Sequence, residues 1–139
     1  MIILTVIYNK YKLISYVISI EKSYIFDQII NEYKNNMAIR ITDDCINCEA
    51  CEPECPNNAI YAPEETWKMS DGTSVENDTE NDAESDDFFY IATDKCTECI
   101  GFHDEPQCAA VCPVDCCIPD DDNVESESEL MAKKDILHV

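Results

Sequence analysis

The sequence predicts a small α+β protein of pseudo-twofold design, made of short strands, two short helices and a C-terminal helix. Three observations carry this. One cysteine-rich module occurs twice within the 139 residues. Short apolar runs of strand character flank the modules. A capped helical segment lies at the C-terminal end.

Four segments differ in texture. Residues 1–36 lack Cys, Gly and Pro and carry a formal charge of +1, whereas the rest sums to −22, within a total of −21. Two readings of this segment stand side by side. It is an over-called extension upstream of a true start at Met37, or it is an N-terminal amphipathic helix. Residues 37–139 form the working domain. Its first run, Ala38-Ile39-Arg40-Ile41, alternates as a short strand does.

Two further strands are expected at Ile60-Tyr61-Ala62 and Phe88-Phe89-Tyr90-Ile91. Between them, residues 63–87 hold ten acidic residues and one lysine. This insertion reads as a solvated hairpin loop, partly disordered, and secondarily as a docking surface for a basic partner. Trp67 reads as a local packing anchor.

Short helices are expected just before Pro56 and Pro113, through Glu52–Glu54 and Ala109–Val111, because proline locks φ and removes a donor. The last helix is expected over Ser126 to Leu137. Ser126 and Glu129 have capping-box spacing, Leu130, Met131, Ile136 and Leu137 suit one face, and Lys133 and Lys134 sit where the helix dipole favours cations.

The charge excludes binding to nucleic acid or an anionic membrane through bulk electrostatics. The apolar stretch Leu13 to Ile20 is far shorter than the ~20 residues of a spanning helix. No basic start or small-residue cleavage site marks an export signal. A cytoplasmic location follows, where ten cysteines argue for metal rather than disulfides.

The modules are related residue by residue. Thr42-Asp43-Asp44-Cys45-Ile46-Asn47-Cys48 matches Thr93-Asp94-Lys95-Cys96-Thr97-Glu98-Cys99 at an offset of 51. Cys51, Cys55 and Pro56 match Cys108, Cys112 and Pro113 at an offset of 57, so the second copy carries six extra residues within 100–107. Cysteines at i, i+3 and i+6 wrap three thiolates around one concave loop, which a compact four-iron cluster needs. A zinc knuckle draws two cysteines from each of two places.

Cys45-x2-Cys48-x2-Cys51-x3-Cys55-Pro56, with Asn57-Asn58-Ala59-Ile60 after it, resembles the bacterial two-cluster ferredoxins. Cys96-x2-Cys99-x8-Cys108-x3-Cys112-Pro113-Val114-Asp115-Cys116 resembles their Allochromatium-type subgroup, which has an enlarged second-motif loop and a C-terminal helix. The resemblance covers about residues 38–62 and 88–138. It implies the bacterial-ferredoxin fold: two short β-hairpins and two short helices in pseudo-twofold arrangement around two 4Fe–4S clusters, plus a C-terminal helix.

The fourth cysteine of such a run ligates the other cluster. Cluster I is therefore assigned Cys45, Cys48, Cys51 and Cys112. Cluster II is assigned Cys55, Cys96, Cys99 and Cys108. Cys48 stands where three-iron relatives commonly carry aspartate, which favours a four-iron cluster I. Cys116 and Cys117 read as apolar packing cysteines. The sharper reading of Cys116 is that it tunes a potential or substitutes for Cys112. His103, in the enlarged loop, reads as solvent-facing. Two departures stand out: the 40 residues between Cys55 and Cys96 are more than the subgroup leads one to expect, and residues 1–36 have no counterpart.

Four thiolates per cluster leave no open iron for a substrate. The expectation is a low-potential one-electron carrier, not an enzyme. It is expected to be a monomer serving basic-faced oxidoreductases such as 2-oxoacid:ferredoxin oxidoreductase or ferredoxin reductases. The alternative is a dedicated electron-transfer subunit of one oxidoreductase complex. A structural zinc or disulfide module is disfavoured by the spacing.

Overall fold

The computed structural model describes residues 37–139. Both readings of residues 1–36 lie outside the described residues. Among the described residues, four strands form two antiparallel pairs. β1 (Met37–Ile41) pairs with β4 (Cys117–Val124), and β2 (Ile60–Tyr61) pairs with β3 (Tyr90–Ile91). The second pair is a hairpin across the acidic insertion. The first pair is not a hairpin, because it joins the first and last described strands. Its register sets Ile41 against Cys117 and Ile39 against Pro119, and shifts before Met37 meets Val124.

The repeat offset of 57 aligns Cys117 with Ile60 and so places it in a strand, but the pattern does not extend that strand to Val124. Pro119 and the run Asp120-Asp121-Asp122 run against strand propensity. They fit because each pair is a two-stranded ribbon, in which every strand has an open edge, and prolines and charges are tolerated there.

The short helices fall beside the prolines, as expected. A 3-10 turn spans Glu52–Glu54, and α1 spans Gln107–Val111. A second 3-10 turn, Thr93–Lys95, leads into Cys96. The internal repeat also shows in the backbone. Asn47 and Glu98, equivalent in the two modules, both have left-handed φ, at 53° and 52°. Asn58 and Asp115, three residues after each module's last cysteine, repeat this at 50° and 53°. Asn and Asp tolerate this region better than most residues.

α2 (Glu127–Leu137) begins with a complete capping box. Ser126 N–H donates to Glu129 Oε2 at 2.7 Å, and Glu129 N–H donates to Ser126 Oγ at 3.4 Å. Leu130 and Leu137 are fully buried, but Ile136, expected on the same face, is 62% exposed. At 3.6 residues per turn, Leu137 returns to within about 20° of Leu130, whereas Ile136 lies about 120° away. Lys133 faces inward instead. Its Nζ donates to Thr93 O and Cys96 O, each at 3.1 Å, and to Glu125 Oε2 at 2.6 Å.

Two apolar cores result. One gathers Ile39, Ile41, Ile60, Phe89 and Ile91 around cysteines; burying each such side chain is worth roughly 1.5–3 kcal/mol. The other is Tyr61, Trp67, Tyr90 and Ala92, with Met69 and Ala83 against it. Trp67 is the packing anchor of the acidic segment. Its backbone exchanges hydrogen bonds with Asn81 at 3.1 and 2.8 Å.

The acidic segment is solvated outside but tied down inside. At one end, Asn47 Nδ2 donates to Asp87 O at 3.0 Å and Asn47 Oδ1 accepts from Phe89 N–H at 3.1 Å. At the other, the fully buried Lys95 donates to Tyr61 OH (2.5 Å), Asp71 O (2.8 Å) and Lys68 O (3.2 Å). The two clamps sit inside the two cysteine modules, so the segment is organised by the same loops that present the cysteines.

Candidate metal centre

All ten cysteines are free thiols, so none is spent in a disulfide. They fall into two neighbourhoods. A small apolar hollow is lined by Cys45, Cys48, Cys51, Cys112, Cys116 and Cys117, with Ile41, Ile46, Phe89 and Val114. Four of these sulfurs are the set assigned to cluster I. The set assigned to cluster II, Cys55, Cys96, Cys99 and Cys108, is more deeply placed, with Cys96, Cys99 and Cys108 each 7% exposed.

Local backbone geometry aims the sulfurs in the same way in both modules. Cys55 Sγ accepts the Ala59 N–H at 3.4 Å, and Cys112 Sγ accepts the Cys116 N–H at 3.3 Å. The left-handed turn at Asn58 or Asp115 folds each chain back to make that bond. Cys99 Sγ accepts the Gln107 N–H at 3.4 Å, a bond that spans the enlarged loop.

Burial drives the Cys96 thiol up to about 12 and the Cys99 thiol up to about 11, and the neighbouring Cys108 and Cys55 thiolates push both the same way. Cys55 is raised by burial too, with Cys108 adding to it. Three thiols that resist ionisation, Cys55, Cys96 and Cys99, gather in this set; a bound cation would compensate their charge, and iron ligation requires thiolates. At Cys112, burial works against ionisation, but N–H donors from Val114, Cys116 and Cys117 outweigh it and lower the value. Both neighbourhoods therefore fit iron–sulfur clusters in donor type, number and polarity.

The two remaining cysteines are not peripheral. Cys116 Sγ lies 3.4 Å from Cys112 Sγ, and burial together with Cys112 pushes the Cys116 thiol up to about 12. Cys117 neighbours both Cys108 and Cys51, one from each assigned set, and interaction with them holds its own thiol protonated. The one S–H it can share between them lowers Cys51 to about 7 and lowers Cys108 as well. Pattern reading placed Cys117 in a strand; its bridging position becomes visible only when β4 meets β1. His103 is exposed, as expected.

Comparison with known proteins identifies this arrangement. The family described as the 4Fe-4S dicluster domain matches residues 44–116. The chain belongs to the dicluster ferredoxins. It is 44% identical over 102 residues to Ferredoxin Fdx2 of Sorangium cellulosum, covering 73% of this chain and 79% of that protein. It is 45% identical over 82 residues to Ferredoxin-2 of Chlorobaculum tepidum, covering 59% of this chain and 97% of that protein. The crystal structure of the ferredoxin from Thauera aromatica aligns with a TM-score of 0.54 at 41% identity, over 73% of this chain and 100% of that one.

This ferredoxin is an iron–sulfur electron carrier rather than an enzyme. Its cofactors are two 4Fe–4S clusters, and it exchanges electrons with oxidoreductases. Among the described residues no helix is long and apolar enough to cross a membrane.

Proposed function

We propose that this ferredoxin is a low-potential one-electron shuttle in which Cys45, Cys48, Cys51 and Cys112 hold cluster I. Cys55, Cys96, Cys99 and Cys108 hold cluster II. The observation that carries the reading is the gathering of Cys112 with Cys45, Cys48 and Cys51 around one apolar hollow, although it lies 61 residues beyond Cys51 in the chain. The converse crossing is supported by the mutual electrostatic influence of Cys55, Cys96, Cys99 and Cys108.

When bound, each cluster supplies a site that gains and loses one electron. The chain's part is to hold, shield and bias it. Ile41, Phe89 and the strand pairs exclude water from the sulfurs. Backbone N–H groups of Ala59, Gln107 and Cys116 donate to cysteine sulfur, which favours the reduced state. Surrounding carboxylates oppose reduction and hold the potential low.

The enlarged 99–108 loop and the α2 helix packed beside it support membership of the Allochromatium-type subgroup. The net charge of −21 favours partners with basic faces, such as 2-oxoacid:ferredoxin oxidoreductase or ferredoxin reductases. Residues 37–139 constitute the carrier domain, acting as a cytoplasmic monomer.

Iron and acid-labile sulfide per chain test the assignment. Two clusters of four irons give eight of each in anaerobically purified protein. Replacing Cys51 or Cys112 with alanine is expected to remove one cluster, and replacing Cys55 or Cys96 the other. Zinc without sulfide would overturn the reading.

A further inference from the structure

We infer that the mouth of the cluster I hollow is the face on which this ferredoxin meets its redox partners. The partner is an oxidoreductase whose near-surface redox group is framed by an apolar contact and a ring of lysines and arginines. This rests on the cluster I assignment above.

The two cluster sites differ in access. At cluster I, Cys48 is exposed, and two large apolar side chains at the same hollow are left in water: Ile46 at 60% and Val114 at 38% exposure. At cluster II, Cys96, Cys99 and Cys108 are buried, and although residues 101–105 of the enlarged loop are exposed, α2 packs against it. Lys134 of α2 lies against Gly101 and 5.5 Å from the Phe102 ring centroid, and His138 meets that ring edge-on at 5.1 Å. Electron tunnelling falls steeply with distance, so the open end is the port.

Charge then selects the partner. Asp43, Asp44, Glu49 and Asp115 flank these apolar residues in the chain and are exposed. No ion pair among the described residues engages any of them, and no basic side chain lines the hollow. An apolar centre with an uncompensated acidic rim is the usual anatomy of a docking patch. Its rim charges steer encounter rather than set final affinity. The acidic segment 63–87 has more charge, but its Trp67, Met69 and Ala83 pack on the Tyr61–Tyr90 core, and its Asp87 end reaches the port through Asn47. It adds long-range attraction without forming the contact.

The test uses cytochrome c, a basic haem protein, as the probe partner. Carbodiimide cross-linking of the iron-loaded ferredoxin to it, mapped by mass spectrometry, is expected to join Asp43, Asp44, Glu49 or Asp115 to probe lysines. Stopped-flow reduction of the probe is expected to slow on the order of tenfold in Glu49→Lys/Asp115→Lys, with a flatter dependence on salt. The control Glu76→Lys/Asp82→Lys is expected to stay within about twofold of the parent, because its charges sit away from the port. Cross-links confined to 76–84, with the control double variant taking the rate loss, would overturn the inference. Iron and sulfide are measured on every variant. A parent without them sinks the carrier reading itself, whereas a loaded parent with cross-links elsewhere sinks only the docking face.

Discussion

Lys95→Met offers the sharpest test of how the acidic segment is held. Lys95 is fully buried, and its ammonium has three partners: Tyr61 OH, Asp71 O and Lys68 O. Each hydrogen bond from a charged group contributes about 1.5–3 kcal/mol. Three of them amount to roughly 4.5–9 kcal/mol, and desolvating the ammonium offsets several kcal/mol of that. The net loss is expected near 3 kcal/mol, because methionine fills the space but leaves two carbonyls short of a donor. Cluster proteins do not unfold in a simple two-state way, so the readout is kinetic. In anaerobic urea, visible cluster absorbance should be lost up to about a hundredfold faster than in the parent, at about 1.4 kcal/mol per decade. A glutamate-specific protease should also cut at Glu76, Glu80 or Glu84 sooner, as Lys68 and Asp71 are no longer pinned. A variant as stable as the parent, with unchanged cleavage, would mean that desolvation cancels the hydrogen bonds and that Lys95 is not the clamp.

Four other outcomes are expected. Gly72→Ala should destabilise by about 1–2 kcal/mol from its left-handed φ of 67° alone, and more because the new Cβ would stand 2.7 Å from Asn58 Cβ; urea-induced loss of visible absorbance reads this against the parent. Ser126→Ala should cost about 1 kcal/mol by removing the cap of α2, and amide exchange along Glu129–Leu137 should quicken while the strands stay protected. Cys117→Val should lower the midpoint potential of at least one cluster by removing the S–H that Cys51 and Cys108 share; voltammetry showing neither potential moved would place that thiol outside both sites. Stripping iron and sulfide with acid and a chelator should abolish the fold, seen as loss of near-ultraviolet dichroism, because Cys51, Cys96, Cys108, Cys116 and Cys117 are themselves core residues.

The parts of this fold that local chemistry dictates were legible in the sequence. The prolines after Cys55 and Cys112 located the short helices to within two residues, and Ser126 with Glu129 located the start of α2. The repeat exposed the pseudo-symmetry and named all eight proposed ligands. What escaped pattern reading depends on distant partners. β4 looks like a loop because Pro119 and three aspartates contradict strand propensity, and only its pairing with β1 makes it a strand. Lys95 reads as a solvated charge until the turns at Lys68 and Asp71 offer it carbonyls. Asn47 reads as a spacer between two cysteines until its amide is found holding Asp87 and Phe89. Ile136 was placed on the buried face by counting apolar residues, and helical phase puts Lys133 there instead.

The pairing of β1 with β4 also governs when the protein can be assembled. Ile41 and Cys117 stand in register, yet 76 positions separate them (117 − 41). Closing a chain segment of that length is entropically unfavourable, and contacts so distant in sequence slow folding. During synthesis the first module emerges with Cys45, Cys48 and Cys51, but Cys112 and the strand that seals the hollow are still inside the ribosome. A nascent chain at that stage offers three thiols and an unpaired strand edge. With the proposed ligand set, iron delivered then would have no complete site, so cluster I would be inserted only after Cys112 and β4 have emerged, and any pause before Cys112 prolongs a state with an unpaired strand edge.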